Sequence, residues 1–431
     1  MQNRNRIFYS ISENFKDSSQ QHTNPILAYL KWHLLLLKYI GVIPFYTTLN
    51  MHEIGAPTRR WLLITRAIVC IKVLLNLLHV YAIFSASILQ MLFLKSKTDG
   101  INNILDVAFC MLSNITISWT CACNATQIIA IINRLLKVDE LLKRYPDSPA
   151  QKSYNKNLYN TYLILAFSYI FVIMMAYVKR TVDVLSFYFC LYVAFYQLEN
   201  AASCAFTIFI SSLMHLLAER FQYINQMLSQ YDSKILHKSE YSSTSIKLAI
   251  NSKGEGNMQS EANLRLFAQN SKMIYSLHND LLDIYKMINS YAGLGLLAFL
   301  LYAFYGLLSS TYGCFLYHWQ NKFHWKYILF TVSWIPLYTG VLILLTSNCE
   351  IATKEANKTA QILSRIYGKG QEYQSVIDKF LTKSIKQEVH FTAYGFFTID
   401  KTTLFKIFSA VTTYLVLLIQ FRQLEESKSS N

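Results

Sequence analysis

Seven stretches of this chain stay apolar for about 20 residues or more, the length that crosses the hydrocarbon core of a bilayer. They lie near 67–94, 107–132, 158–178, 184–214, 290–317, 325–347 and 402–421. Water cannot satisfy backbone N–H and C=O groups there, so each stretch is expected to fold as a helix with internal bonds. Composition agrees, since 53% of the 431 residues are hydrophobic and 15% are charged, too apolar for an ordinary soluble domain. The expected class is an all-α membrane protein with seven transmembrane helices. In the first span Arg66 stands at the edge, and Lys72 lies inside, where its long side chain can snorkel to the interface. The segment Pro25–Phe45 is also apolar, but Lys31, His33 and Lys38 interrupt it. It reads as an interfacial amphipathic helix that ends near Gly41 and Pro44.

A formal net charge of +15 raises the question of nucleic acid. The basic residues instead sit in short segments between spans, and none forms a patch interleaved with aromatics, so nucleic acid is excluded as a partner. Lys plus Arg number 7 in residues 1–60, then 2, 6, 2, 8, 2 and 8 in successive connections, and 2 in the tail. By the positive-inside rule the N-terminus is cytosolic and the C-terminus extracellular. That topology is inverted relative to G-protein-coupled receptors, so no G protein is required. Residues 1–24 lack a signal-peptide pattern, and the first span is expected to act as the insertion signal.

The expected organisation follows the spans. Residues 1–60 form a cytosolic segment carrying the interfacial helix. Residues 61–347 hold spans one to six, with a long cytosolic loop at 215–290 whose polar stretch 233–260 reads as flexible. Residues 348–400 form cytosolic anchor helices, with Ile351, Ile362, Ile366, Val376, Phe380 and Ile385 at helical spacing and a break at Gly368–Gly370. The last span is 401–421, and 422–431 are an extracellular tail. Apolar faces on the cytosolic extensions call for partners, and a second subunit is the natural one.

Enzyme chemistry finds no support. The eight cysteines show neither zinc spacing nor a disulfide framework. There is no Gly-rich phosphate loop, no catalytic cluster and no transporter-like internal repeat, and no cofactor is expected. Three Asn-x-Thr sequons, at Asn114, Asn124 and Asn357, fall in a span or in the cytosol and should carry no glycan.

Two features point to ligand chemistry and to a pore. Thirty tyrosines are present, many in the outer halves of spans. Tyr188, Tyr192 and Tyr196 share a face of the fourth span, and Glu199 follows one turn on. The fifth offers Tyr302, Tyr305 and Tyr312, the sixth Trp334 and Tyr338, the second Asn114 and Trp119. Aromatic walls with few polar groups suit a small organic ligand, and a carboxylate at membrane depth calls for a polar cavity or a partner. In the last span, Lys406, Thr413, Leu417 and Gln420 form one polar stripe. It reads either as a pore lining, constricted at Leu417 and Gln420 beside Phe421, or as a helix-packing face. Glu425 and Glu426 follow, either as a cation-attracting outer mouth or as a solvated tail.

The run from Thr413 to Phe421 is Thr-Tyr, five apolar residues, then Gln-Phe, and His390–Asp400 precedes it with an aromatic-Gly-Phe-Phe stretch. This resembles the C-terminal signature and lead-in of insect gustatory receptors. The resemblance implies a homotetrameric or heterotetrameric ligand-gated cation channel in the plasma membrane of sensory neurons, its central pore formed by the last helix. It implies a gate at Leu417, Gln420 and Phe421, near Thr413, and a small-molecule tastant bound in an outward-facing cleft among spans two to six. Sugar-sensing members often carry an acid just after the motif Thr-Tyr, where this chain has Leu415. That favours a bitter or other non-sugar stimulus. An obligate co-receptor subunit and a sugar-gated member are the alternatives.

Overall fold

The computed structural model describes residues 25–39, 59–84, 97–143, 187–245, 256–319, 325–366 and 388–429. Eight helices are described: α1 Pro25–Tyr39, α2 Arg59–Phe84, α3 Lys97–Cys123, α4 Ala125–Leu142, α5 Phe187–Ser245, α6 Gly256–Trp319, α7 Trp325–Ile366 and α8 Lys401–Ser429. No strand occurs among the described residues, only an isolated antiparallel bridge between Thr392 and Thr398. Five helices are long and apolar enough to cross a membrane, over Gly100–Cys123, Tyr196–Ser229, Met273–Phe315, Thr331–Ile362 and Lys401–Lys428. These carry the expected second, fourth, fifth, sixth and seventh spans. The expected third span, 158–178, lies outside the described residues, and the first is helical in α2 as far as Phe84.

Helix lengths differ from the sequence reading. At 1.5 Å per residue the 59 residues of α5 and 64 of α6 run about 90–95 Å, far beyond a bilayer core of roughly 30 Å. The polar stretch 233–260 is therefore largely helix, entered by α5 as far as Ser245 and resumed by α6 from Gly256. Residues 388–400, expected in anchor helices, form a loop instead. The last helix runs on past 421 to Ser429.

Helix α6 is the hub, touching α3, α4, α5, α7 and α8, while α5 packs most extensively on α7. One continuous core joins Phe206, Phe209, Leu213 and Phe221 of α5 with Tyr285, Tyr291 and Phe299 of α6 and Leu342, Leu345 and Cys349 of α7. Helix α1 departs from its expected interfacial position. It packs on α5, with Ile26, Leu30 and Leu37 fully buried and His33 Nε2 3.5 Å from Ser212 Oγ. Its apolar face covers protein rather than lipid.

Farther along the same helices, polar side chains lock the bundle. Arg220 of α5 donates from Nε and Nη2 to the two carboxylate oxygens of Asp139 on α4, both at 2.9 Å, with both side chains fully buried. Its Nη1 donates to the Leu216 carbonyl at 2.6 Å. Asn225 of α5 donates to the Glu355 carbonyl at 2.8 Å and accepts from Thr359 Oγ1 at 2.7 Å, tying α5 to α7. Breaking one half of a buried pair strands a charge. Arg220→Met should lower stability by about 3–5 kcal/mol, and Asp139→Asn combined with Arg220→Met should recover most of it. The thermal unfolding midpoint in detergent reads both.

Candidate functional site

The upper bundle gathers one polar and aromatic cluster from four helices. Tyr196 of α5 donates its hydroxyl to Asp106 Oδ2 of α3 at 2.7 Å. The Tyr196 hydroxyl oxygen lies 3.5 Å from Tyr302 Oη of α6, which is 2.7 Å from Tyr338 Oη of α7. A chain of hydroxyls thus runs from one carboxylate across the whole bundle. Trp334 stacks on Tyr338 at 5.8 Å, and Tyr302 meets Tyr338 edge-on at 5.5 Å. Beside them Tyr305 donates to Asn102 Oδ1 at 2.9 Å, Asn102 Nδ2 donates to Ser309 Oγ at 2.9 Å, and Phe109 leans on Tyr305 at 5.0 Å.

Two backbone details shape this cluster. A Cβ on Gly306 would stand 2.7 Å from the Tyr338 ring, so the missing side chain admits the tyrosine. Pro336 lies inside α7 between Trp334 and Tyr338 and cannot complete the helical bond at its own nitrogen.

About two turns further along α3 and one along α5 lies a second polar group. Asn114 Nδ2 donates to the Glu199 carbonyl at 3.1 Å, and Ser118 donates to Asn114 Oδ1 at 3.4 Å. Lys72 Nζ of α2 donates to Ser118 Oγ at 3.4 Å and interacts electrostatically with Glu199. Lys72 thus turns inward to a partner rather than snorkelling.

The sequence-predicted ligand residues divide. Tyr196, Tyr305, Trp334 and Tyr338 meet in the cluster, and Asn114 and Glu199 meet beneath it. Tyr312 is buried farther along α6. Trp119 is 57% exposed on the outer face of α3, away from the others. Tyr192 belongs to α5, but its side chain lies outside the described residues. Asn102 and Asp106 precede the expected second span, which starts at 107, and so carry no signal as ligand residues, while Gly306 has no side chain to single it out within its span.

Helix α8 starts from a clamped loop. Thr392 N–H donates to Asn289 Oδ1 at 2.9 Å, and Val389 exchanges two 3.0 Å bonds with the Asn357 amide. Tyr394 and Gly395 both take positive φ, 52° and 80°, closed by a 3.0 Å bond from Phe396 N–H to the Ala393 carbonyl. Two consecutive left-handed residues make the mirror-image turn, which glycine adopts freely and tyrosine only under strain. Gly293 of α6 allows the turn to dock, since a Cβ there would lie 3.0 Å from Tyr394 N. Asp400 caps the helix, accepting from Thr403 N–H at 2.8 Å, while Glu350 of α7 accepts from Lys401 N–H at 3.1 Å.

The helix is half covered. Thr403 and Val411 are buried, and Leu404, Ile407 and Phe408 pack on the core. Lys406, Thr413, Leu417 and Gln420 all lie on the opposite, exposed face, with Phe421 beside them. Of the most apolar stretch of α8 only 11% is buried within the chain, against 89% for that of α5. Thr413 spends its hydroxyl proton on the Ser409 carbonyl at 3.1 Å. Tyr414 meets Phe304 of α6 edge-on at 5.9 Å. Both expected outer-mouth acids have partners within the chain. Glu425 accepts from Thr98 Oγ1 at 2.8 Å at the start of α3, and Glu426 from Arg422 Nε at 2.9 Å.

A family model for the 7tm chemosensory receptors matches residues 30–425. The chain belongs to that family. It is 36% identical over 415 residues to gustatory and pheromone receptor 32a of Drosophila melanogaster, covering 95% of this chain and 88% of the relative. It is 33% identical over 344 residues to gustatory receptor 68a of the same fly, covering 78% and 80%. The fold matches the insect olfactory receptor OR5 from Machilis hrabei, with a TM-score of 0.58 at 13% identity over 92% of this chain and 98% of that one. The same receptor in complex with eugenol matches at 0.56, with 13% identity, over 92% and 99% of the two chains. The family member described here is a multi-pass membrane protein of chemosensory receptor type, not a family of enzymes.

Two outcomes follow for this receptor. Gly306→Ala should push Tyr338 from its seat and lower stability by about 1–3 kcal/mol, seen as a fall in the thermal midpoint. Burial opposes ionisation of Asp400, but the Thr403 N–H, the Thr398 and Thr403 hydroxyls and nearby Lys406 hold its carboxyl below the ordinary 3.8. A depressed value stabilises the fold above the unfolded-state pKa and loses that contribution as pH falls through the folded one. Asp400→Ala should therefore cost about 0.5–2 kcal/mol at neutral pH, with the gap to wild type closing only below about pH 4. Thermal unfolding across a pH series measures it.

Proposed function

We propose that this receptor is a ligand-gated, non-selective cation channel for bitter or other non-sugar stimuli, with seven spans, a cytosolic N-terminus and an extracellular C-terminus. Four copies of α8 surround a central pore, in a homotetramer or with related receptors, at the plasma membrane of sensory neurons. The observation that supports this reading is α8 itself. It is an apolar helix whose own chain covers one side and leaves the stripe of Thr413, Leu417 and Gln420 open. A face of that kind needs either lipid or copies of itself. The hydroxyl and amide along it favour a water-filled path over hydrocarbon. Four Leu417 side chains at one level close a narrow path by dewetting, and the neutral Gln420 amides discriminate weakly among cations.

The ligand seat is the aromatic cluster of Tyr196, Tyr302, Tyr305, Trp334 and Tyr338, with the polar group of Asn114 and Glu199 beneath. Its link to the pore is short. Tyr302 and Tyr305 address the cluster while Phe304, in the same turn of α6, meets Tyr414 of the pore helix. A ligand that repacks the tyrosines rotates this turn, and the Phe304 ring carries the rotation to α8. Gating then needs a binding preference for the rotated state.

Patch-clamp recording of the chain expressed alone, with bitter compounds and sugars applied, tests the reading. Ligand-evoked cation current in the wild type and a standing leak in Leu417→Ala are expected. Surface expression with both channels silent would sink the self-sufficient channel and leave an obligate co-receptor subunit. Current evoked by sugars alone would overturn the non-sugar assignment.

A further inference from the structure

The tyrosine cluster holds a carboxylate that meets no counter-ion among the described residues. Among the described residues, Asp139, Glu199 and Asp106 are acids enclosed between helices of the bundle. Asp139 has the guanidinium of Arg220, and the ammonium of Lys72 lies near enough to Glu199 to act on it electrostatically, although Glu199 Oε2 meets no donor. Asp106 faces only the Tyr196 hydroxyl and the Tyr302–Tyr338 pair beyond it, and no basic side chain among the described residues forms an ion pair with it. One carboxylate oxygen, Oδ2, accepts from Tyr196 at 2.7 Å. The other, Oδ1, is enclosed and meets no donor.

An enclosed carboxylate with half its acceptor capacity unspent is costly in a low-dielectric site. What surrounds it is chemically one-sided. Tyr302, Tyr338 and Trp334 present electron-rich rings at stacked and edge-on angles, and three tyrosine hydroxyl oxygens lie along the path. Aromatic faces beside a carboxylate form the environment that attracts organic cations. A neutral hydroxyl could donate to Oδ1 without supplying a counter-charge, whereas an ammonium N–H both donates to it and neutralises it.

We propose that Asp106, with Tyr196, Tyr302, Tyr338 and Trp334, is a recognition subsite for a protonated amine carried on an aromatic or alicyclic body. The ammonium bonds to Asp106 Oδ1, and the apolar body lies against Trp334 and Tyr338. This rests on the reading of the cluster as the ligand seat and adds the chemical class of ligand. Tyr196 holds the carboxylate in place and acts as a positioning residue. At the Glu199 group the ammonium of Lys72 is already nearby, and its positive charge disfavours a second cation there.

The test compares 2-phenylethylamine, protonated at neutral pH, with 2-phenylethanol, which shares its ring and chain. Tritiated forms of both are bound by equilibrium dialysis to the full chain in lipid nanodiscs. The amine is expected to bind at least about tenfold tighter than the alcohol, the scale of one charge-assisted hydrogen bond. Asp106→Asn keeps an acceptor for the Tyr196 hydroxyl and removes the charge. It should weaken the amine by at least about tenfold and leave the alcohol unchanged. Asp283→Asn, exposed on the lower part of α6, should change neither. Equal loss of both probes in Asp106→Asn, an unchanged ratio, or no amine binding to a wild type with a normal unfolding transition would each overturn the proposal. Failure of the ligand seat itself registers differently, since Trp334→Ala would then leave every bound probe unaffected.

Discussion

Two fully buried charges, Arg220 and Asp139, anchor the lower half of this receptor. Their bidentate geometry is fixed in both distance and plane, so α4 and α5 have one relative placement at that level. Removing either group strands its partner's charge. Around them the same device recurs in milder form. Asn225 reads the backbone and side chain of α7, Gln127 of α4 reaches the Met287 carbonyl at 3.2 Å, and Asn357 and Asn289 read the backbone of the loop before α8. Each amide pairs with a group that would otherwise be orphaned where apolar side chains exclude water. Apolar packing alone permits helices to slide; these bonds give each interface one register.

The upper half uses polarity in another way. There the bonds run from side chain to side chain through hydroxyls, and hydroxyl protons can reverse direction at little cost. The lower bundle is therefore a frame and the upper bundle an adjustable wall. Helix α6 belongs to both. Tyr285 bonds to Thr353 in the frame at 2.8 Å, while Tyr302 bonds to Tyr338 in the wall. Gly293 and Gly306 mark two of its close approaches, one to the loop before α8 and one to a tyrosine ring.

The helical class and most spans were legible because membrane solvation leaves a long apolar run few choices. Boundaries were harder. Helix α3 begins ten residues before the expected start of its span, and this moved Asp106 from a connection to the centre of the cluster. Side-chain direction was partly legible. Tyr302, Tyr305 and Tyr338 could be picked out as aromatics of their spans, but which ring meets which depends on helix contacts distant in sequence. Trp119 could have been set apart, since five residues from Asn114 is about 140° around a helix and so a different face. The clamps at Asn289 and Asn357 had no local signal, because an asparagine bonding to a loop far away in sequence looks like any polar helical residue. Helix α1 looked interfacial for the same reason: its apolar stripe does not say whether lipid or protein covers it.

The attachment of α8 at both ends has a mechanical meaning. Asp400 and Glu350 hold its first turn, and Thr98 holds Glu425 near its last, with the carboxylate on the amino end of α3 where the helix dipole favours it. Between these points only one face of the helix touches its own subunit. A rod pinned at both ends does not slide along its axis. It yields by twisting or bowing, and most at mid-length. The residues with most freedom are then those between Ser409 and Leu417, so small torques applied there turn the exposed stripe of Thr413 and Leu417 without pulling on the helix's fastenings.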